Sequence, residues 1–225
     1  MERLTELVRG DLGVQDVLLT DSGTSALSLA IEIASRGRGV ALPAYGCFDL
    51  VTAANGAGAR IHFYDLDPRT LAPEPDSLRR ALAARPGAVV LAHLYGVPVD
   101  PGPWKAELAA ADAVLVDDAA QGVGASIGGV AAGATGDLGV LSFGRGKGRT
   151  GGNGGALVAA SSLGSALVAA RPSSSLPPSA GRVVDVAKLA VQWLLGRPAL
   201  YGIPSSIPWL ALGETRYRPP RPPRA

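Results

Sequence analysis

The sequence predicts an α/β domain built on a mostly parallel seven-stranded sheet with helices on both faces. Two observations carry this. Short apolar runs, many with β-branched residues, recur as far as residue 159, and segments with helical periodicity lie between them. Continuous apolar runs of strand length suit strands buried on both faces, and strands alternating with helices are joined by crossovers that leave them parallel.

The predicted strands are residues 17–20, 40–43, 60–65, 88–94, 113–117, 138–143 and 156–159. A helix is expected over 25–35, where Leu27, Ala30, Ile31 and Ala34 fall on one face, and a second over 76–84. In the second, Leu78, Ala81 and Leu82 share a face while Arg79 and Arg80 project away, the pattern of an amphipathic helix. Trp104-Lys105-Ala106-Glu107 reads as an exposed helical turn. After about residue 162 the character changes. Residues 170–178, rich in serine and proline, read as a linker, a helix is expected over 183–195, and the Pro/Arg-rich end is unsuited to helix or sheet. The expected organisation is a large domain over 1–165, a linker and helical extension over 166–215, and a tail over 216–225.

A chain of 225 residues with 47% hydrophobic content buries a substantial core. The formal net charge is only +2, and no Lys/Arg cluster alternates with aromatics, so nucleic acid is not an expected partner. The single cysteine, Cys47, excludes an internal disulfide, and with only His62 and His93 beside it no zinc-type spacing exists; both points suit the cytoplasm. The N-terminus, with Glu2 and Glu6 and no apolar core, does not read as a signal peptide. Serines dilute the apolar stretch 154–170, and Pro204 and Pro208 break 198–213, so no membrane span is expected.

In an open α/β sheet, ligands bind beyond the carboxyl ends of the strands, which directs attention to the segments that follow them. Lys147 lies in such a segment, Ser142-Phe143-Gly144-Arg145-Gly146-Lys147-Gly148, and is one of three lysines in a chain that otherwise takes its positive charge from arginine. A solvated basic loop has the same composition. A lysine amine, unlike a guanidinium, loses its proton and attacks a carbonyl, so Lys147 is a candidate nucleophile. The strand 113–117 runs into Asp117-Asp118-Ala119-Ala120-Gln121, which places a carboxylate at a strand end, either as a cap or core acid or as a partner for a protonated ring nitrogen. Upstream, Ser22-Gly23-Thr24-Ser25 opens a helix after the first strand, serving as a cap or as a phosphate cradle, and Ser142 offers a further hydroxyl. Together these are the parts needed to hold pyridoxal 5′-phosphate.

Gly23-Thr24-Ser25-Ala26-Leu27, Pro43-Ala44-Tyr45, the segment from Gly58-Ala59-Arg60 to Asp67, His93-Leu94-Tyr95-Gly96, Asp118-Ala119-Ala120-Gln121, and Ser142-Phe143 with Lys147 beyond resemble, in order and spacing, the DegT/DnrJ/EryC1/StrS group of sugar aminotransferases. The resemblance covers about residues 14–160. It implies the large domain of the fold type I, aspartate aminotransferase-like PLP enzymes, with Lys147 forming the Schiff base and carrying protons once released. It further implies Asp118 at the pyridine nitrogen, Gln121 at the phenolic oxygen, and Thr24, Ser25 and Ser142 at the phosphate. The implied reaction moves an amino group from an amino acid such as glutamate to a nucleotide-linked keto sugar, in a homodimer. Relatives that dehydrate the sugar instead resemble versions with histidine in place of the lysine.

Three features depart from the family pattern. Cys47, flanked by Tyr45 and Phe48, stands where a ring-stacking aromatic is usual, and Gly152-Asn153-Gly154-Gly155 replaces Gly-Glu-Gly-Gly. Family members also continue into a small C-terminal domain before which this chain stops or diverges. The alternative expectation is therefore a truncated, catalytically impaired paralogue or a partner subunit. Walker and dinucleotide loops are disfavoured: Leu141 and Gly148 stand where a Walker loop needs Gly and Ser/Thr, and Asp118–Gln121 intervenes before Gly122-Val123-Gly124.

Overall fold

All seven predicted strands pair into one sheet. They are β1 (Asp16–Thr20), β2 (Val40–Pro43), β3 (Ile61–Tyr64), β4 (Ala88–Ala92), β5 (Val114–Asp118), β8 (Leu138–Ser142) and β9 (Gly155–Ala159), in the order β1-β9-β8-β5-β4-β2-β3. The structure is a computed structural model that describes residues 2–144, 146–149 and 153–169 and individual positions between 187 and 207. Strands β8, β5, β4, β2 and β3 run parallel, and β9 lies antiparallel between β8 and β1. A two-residue pair, β6 (Ser126–Ile127) with β7 (Val130–Ala131), forms a separate hairpin.

Helices α1 (Glu2–Leu12), α2 (Gly23–Ser35), α3 (Asp49–Gly56), α4 (Pro75–Ala83), α5 (Lys105–Ala110) and α6 (Ser162–Ala169) accompany the sheet. Because successive strand residues point to opposite faces, each apolar strand feeds two cores. Val40, Leu42, Val90, Val116 and Val140 pack with Ala26, Leu27, Ala30 and Ile31 of α2. Their neighbours Ala41, Val89, Leu91 and Leu115 pack with Leu78 and Leu82 of α4 and Leu108 of α5. Every residue of β4, β5, β8 and β9 is buried, which is why these segments read as continuous apolar runs.

Boundaries differ where local hydrogen bonds take over from periodicity. Helix α2 starts two residues before the predicted point, because Ser22 in extended backbone caps it by accepting the Ser25 amide at 3.1 Å. The predicted strand 88–94 stops at Ala92, and the chain turns through His93–Gly96 with Tyr95 in the left-handed region at φ 58°. Asp118 is the last residue of β5, one later than expected. Helices α1 and α3 and the β6–β7 hairpin were not expected: α1 buries only Val8, and α3 is eight residues long.

The chain divides into two compact units, the second of them spanning Ser175–Arg221. The predicted linker 170–178 and tail 216–225 lie outside the described residues, as does most of the helix expected over 183–195. Among the described residues no helix is long and apolar enough to cross a membrane.

Candidate cofactor site

A cleft opens in the first unit, bordered by residues at the carboxyl ends of β4, β5 and β8 and by the start of α2. Its wall includes Gly23, Thr24, Asp118, Gln121, Ser142 and Lys147, so five of the six residues singled out in the sequence meet in one place. The sixth, Ser25, lies in the first turn of α2, where its hydroxyl is 2.9 Å from Ser22 Oγ. It supports the cap and does not line the cleft.

The start of α2 is pressed against the end of β8. A Cβ on Gly23 would lie 2.7 Å from Ser142 Cβ and 3.0 Å from its Oγ, so only glycine permits this approach. The first amides of a thirteen-residue helix are thereby set beside the Ser142 hydroxyl, a combination suited to an anion.

Asp118 is buried, with 8% of its surface exposed. Its Oδ1 accepts the Ala120 amide at 2.9 Å. Burial pushes its carboxyl up to about 6; the Ala120 amide pulls the other way, Asp117 raises it further, and Lys147 and His93 lower it. Lys147 sits on a tight glycine turn, its amide 3.3 Å from the Gly144 carbonyl, and has no side-chain hydrogen bond among the described residues. Arg149, in the same segment, is ion-paired to Asp11 at the end of α1.

Gln121 Oε1 accepts the amide of Tyr95 at 2.9 Å, holding the left-handed turn that follows β4. With Oε1 so engaged, the Gln121 amide retains its N–H donors. Tyr95 Oη in turn lies 2.7 Å from Tyr45 Oη, and both rings are exposed. Neither Tyr45 nor Phe48 lines the cleft; Cys47 does, together with Asp49 and Leu50. Cys47 Sγ lies 3.6 Å from Asp49 Oδ2, and burial is the main influence raising its thiol pKa.

His93, expected to be structural, is held by two contacts, with Nδ1 accepting the Val99 amide at 3.0 Å and Nε2 lying 2.6 Å from Asp117 Oδ1, and it also borders the cleft. Sequence reading missed Asp49 and Leu50, which no strand-end pattern marks. Among the described residues no group of three or more His, Cys, Asp or Glu side chains is placed to hold a metal ion.

Residues 1–167 match the sequence profile of the DegT/DnrJ/EryC1/StrS aminotransferase family. The chain belongs to this family. Among curated relatives it is 36% identical over 153 residues to dTDP-4-dehydro-2,3,6-trideoxy-D-glucose 4-aminotransferase of Saccharopolyspora spinosa, covering 66% of this chain and 40% of that protein. It is 34% identical over 148 residues to L-glutamine:2-deoxy-scyllo-inosose aminotransferase of Streptomyces lividus, covering 65% of this chain and 35% of that protein. Among solved structures, the sugar aminotransferase CalS13 from Micromonospora echinospora superposes with a TM-score of 0.65 at 30% identity, over 74% of this chain and 48% of that one. A dehydratase structure with bound hydrated PLP shares the fold, with a TM-score of 0.64 at 21% identity over 71% of this chain and 43% of that one. The chain thus spans 35–40% of the length of these two curated relatives. Its α/β fold with a mostly parallel seven-stranded sheet is the part shared with the solved sugar aminotransferase.

Proposed function

We propose that this chain binds pyridoxal 5′-phosphate and forms the cofactor-holding part of an aminotransferase site. The reaction moves an amino group from an amino-acid donor such as glutamate to a keto sugar, nucleotide-linked in the form that binds. The carrying observation is that Lys147 and the buried carboxylate of Asp118 border one cleft whose wall also contains the start of α2. Relatives named for a dTDP-linked deoxysugar and for an inosose support a carbonyl-bearing, hydroxylated acceptor.

The residues present fit the cofactor. Gly23, Thr24 and Ser142 border the cleft where α2 begins and suit the phosphate, with Ser25 reinforcing the cap behind them. Asp118 suits a protonated ring nitrogen, and the free donors of Gln121 suit the ring's phenolic oxygen. When bound, the cofactor supplies an electron sink for the bond-breaking at the substrate carbon. Lys147 supplies the amine that holds the cofactor and, once released, carries a proton to and from the reacting carbon at Nζ. We place the protein in the cytoplasm as a homodimer; a monomer by light scattering at micromolar concentration would refute the dimer.

The test is optical. Protein saturated with the cofactor gains a visible absorption band that borohydride removes, and Lys147→Ala lacks the band while keeping its fold by circular dichroism. No band in the saturated protein overturns the reading. One observation favours a second reading, a cofactor-holding partner without turnover of its own: Lys147 is the only cation bordering the cleft among the described residues, so a donor carboxylate finds no guanidinium there. Loss of the band on adding glutamate supports turnover, and an unchanged band supports the partner role.

A further inference from the structure

Beside Asp118 lies a buried ionisable pair that the proposed chemistry does not use: Asp117, on the opposite face of β5, and His93, which follows β4 and also borders the cleft. Asp117 and Asp118 are consecutive strand residues, so their side chains leave the sheet in opposite directions. Asp117 and His93 are each 1% exposed, and Nε2 of the imidazole lies 2.6 Å from Oδ1 of the carboxylate. On the other side, Asp117 Oδ2 accepts the Gly133 amide at 2.9 Å, the Thr135 amide at 2.9 Å and the Thr135 hydroxyl at 2.5 Å.

The hydrogen bonds fix the state of both partners. Val99 donates its amide to His93 Nδ1, so that nitrogen carries a lone pair, and an imidazolium would place two N–H groups head to head. With Nδ1 accepting from Val99, the ring's proton lies on Nε2, facing Asp117. Asp117 Oδ2 then has three hydrogen-bond donors, and Oδ1 faces the ring's Nε2 at 2.6 Å, surroundings that suit a carboxylate.

We propose that the His93–Asp117 pair is a positioning element that fixes one negative charge behind Asp118, making Asp118 a proton-sharing partner whose ionisation is completed by a cation entering the cleft. The cation would be an aromatic ring nitrogen or an ammonium. Asp118 also faces Lys147 from the glycine loop, with Tyr64 of β3 near enough to feel its charge, and His93, Cys47 and Asp49 border the same cleft. Among these, only Asp117 stands directly behind it in the same strand. The directions agree: burial raises Asp117, yet its hydrogen bonds from His93 and Thr135 hold it below the usual carboxylate range, and its charge is one of the influences that raise Asp118.

The functional consequence rests on the reading of Asp118 as the cofactor's ring partner, but the test does not need the cofactor. Carboxyl carbon NMR of the cofactor-free protein is expected to show Asp118 titrating well above Asp117. Asp117→Asn should lower the Asp118 midpoint by about one pH unit, the size of one close charge. His93→Gln retains one donor and one acceptor but removes an influence that lowers that midpoint, so unlike Asp117→Asn it should not lower it. Nitrogen NMR of the wild-type protein reads the imidazole independently, should Asp117→Asn fail to fold; an Nε2–H tautomer with a bare Nδ1 is expected. An Asp118 midpoint unmoved by Asp117→Asn, or a His93 carrying its proton on Nδ1, overturns the inference. Absence of the visible band with a normal titration overturns only the cofactor reading.

Discussion

Gly23 of α2 and Ser142 of β8 touch so closely that a methyl group on the glycine would sit 2.7 Å from the serine's Cβ. The contact sets the first turn of the helix against a strand-end hydroxyl, and it makes the cleft sensitive to one carbon atom. Gly23→Ala must push α2 off β8, at a cost of about 1–3 kcal/mol for overpacking a tight site. Cofactor affinity should fall by about tenfold or more, the equivalent of roughly 1.4 kcal/mol. Fluorescence titration with the cofactor, beside urea denaturation, separates the two effects; unchanged affinity would show that this contact does not shape the anion end.

Asp118 should cost the fold stability at neutral pH. Burial raises its proton affinity in the folded chain to a midpoint of about 6, above the ordinary carboxylate value. The folded state therefore binds the proton more tightly than the unfolded chain. Its contribution is fully present below about pH 4 and is lost as pH rises through 6. Asp118→Asn keeps an oxygen for the Ala120 amide, so it should leave stability at pH 4 unchanged and raise it at pH 8 by about 3 kcal/mol. The same variant should lose the cofactor's visible band. Urea denaturation at the two pH values checks the first claim; equal effects at both would show that the carboxyl is not strained.

The sheet was legible because its strands carry their own signal: Ala88–Ala92 and Val114–Asp118 are buried at every residue, so an apolar run is all they can be. Lys147, Asp118 and Ser142 were legible for a different reason, since each follows or ends such a run. Asp49 was not, because it enters the cleft from the first turn of α3, a short helix with no strand end to announce it. The charge behind Asp118 also escaped sequence reading. His93 and Asp117 are 24 positions apart, and only the parallel pairing of β4 with β5 brings them together.

Gln121 tests whether donors or mere shape matter at the ring oxygen. Its Oε1 holds the Tyr95 amide at 2.9 Å, and only its nitrogen is left to face a ligand. Gln121→Glu keeps an oxygen for Tyr95 but replaces the donor with an acceptor, so stability should change by under about 0.5 kcal/mol. Cofactor binding should weaken by about tenfold or more, as a lost charge-assisted hydrogen bond implies. Binding isotherms for the wild type and the variant decide it, and equal affinities would remove Gln121 from the ring contacts.

The glycine pair that opens β9 should prove far less tolerant than the glycines around it. A Cβ on Gly155 would lie 2.6 Å from both the Gly23 nitrogen and the Ser22 carbonyl oxygen, and 2.7 Å from the Leu141 carbonyl oxygen. All three are backbone atoms, held by the α2 cap on one side and β8 on the other, so no side-chain rotation relieves the clash. Gly154 beside it stands at φ 102°, where an L side chain is strained. Gly155→Ala should therefore cost about 3 kcal/mol or more and disturb the start of α2, lowering cofactor affinity with it. Gly10 in α1 is the control, because nothing lies within 4 Å of its added Cβ. Gly10→Ala should stabilise the helix by about 0.5–1 kcal/mol and leave cofactor binding unchanged. Thermal denaturation of the two variants should give shifts of opposite sign; a Gly155→Ala protein as stable as wild type would mean that the contact between β9 and the α2 cap is not tight.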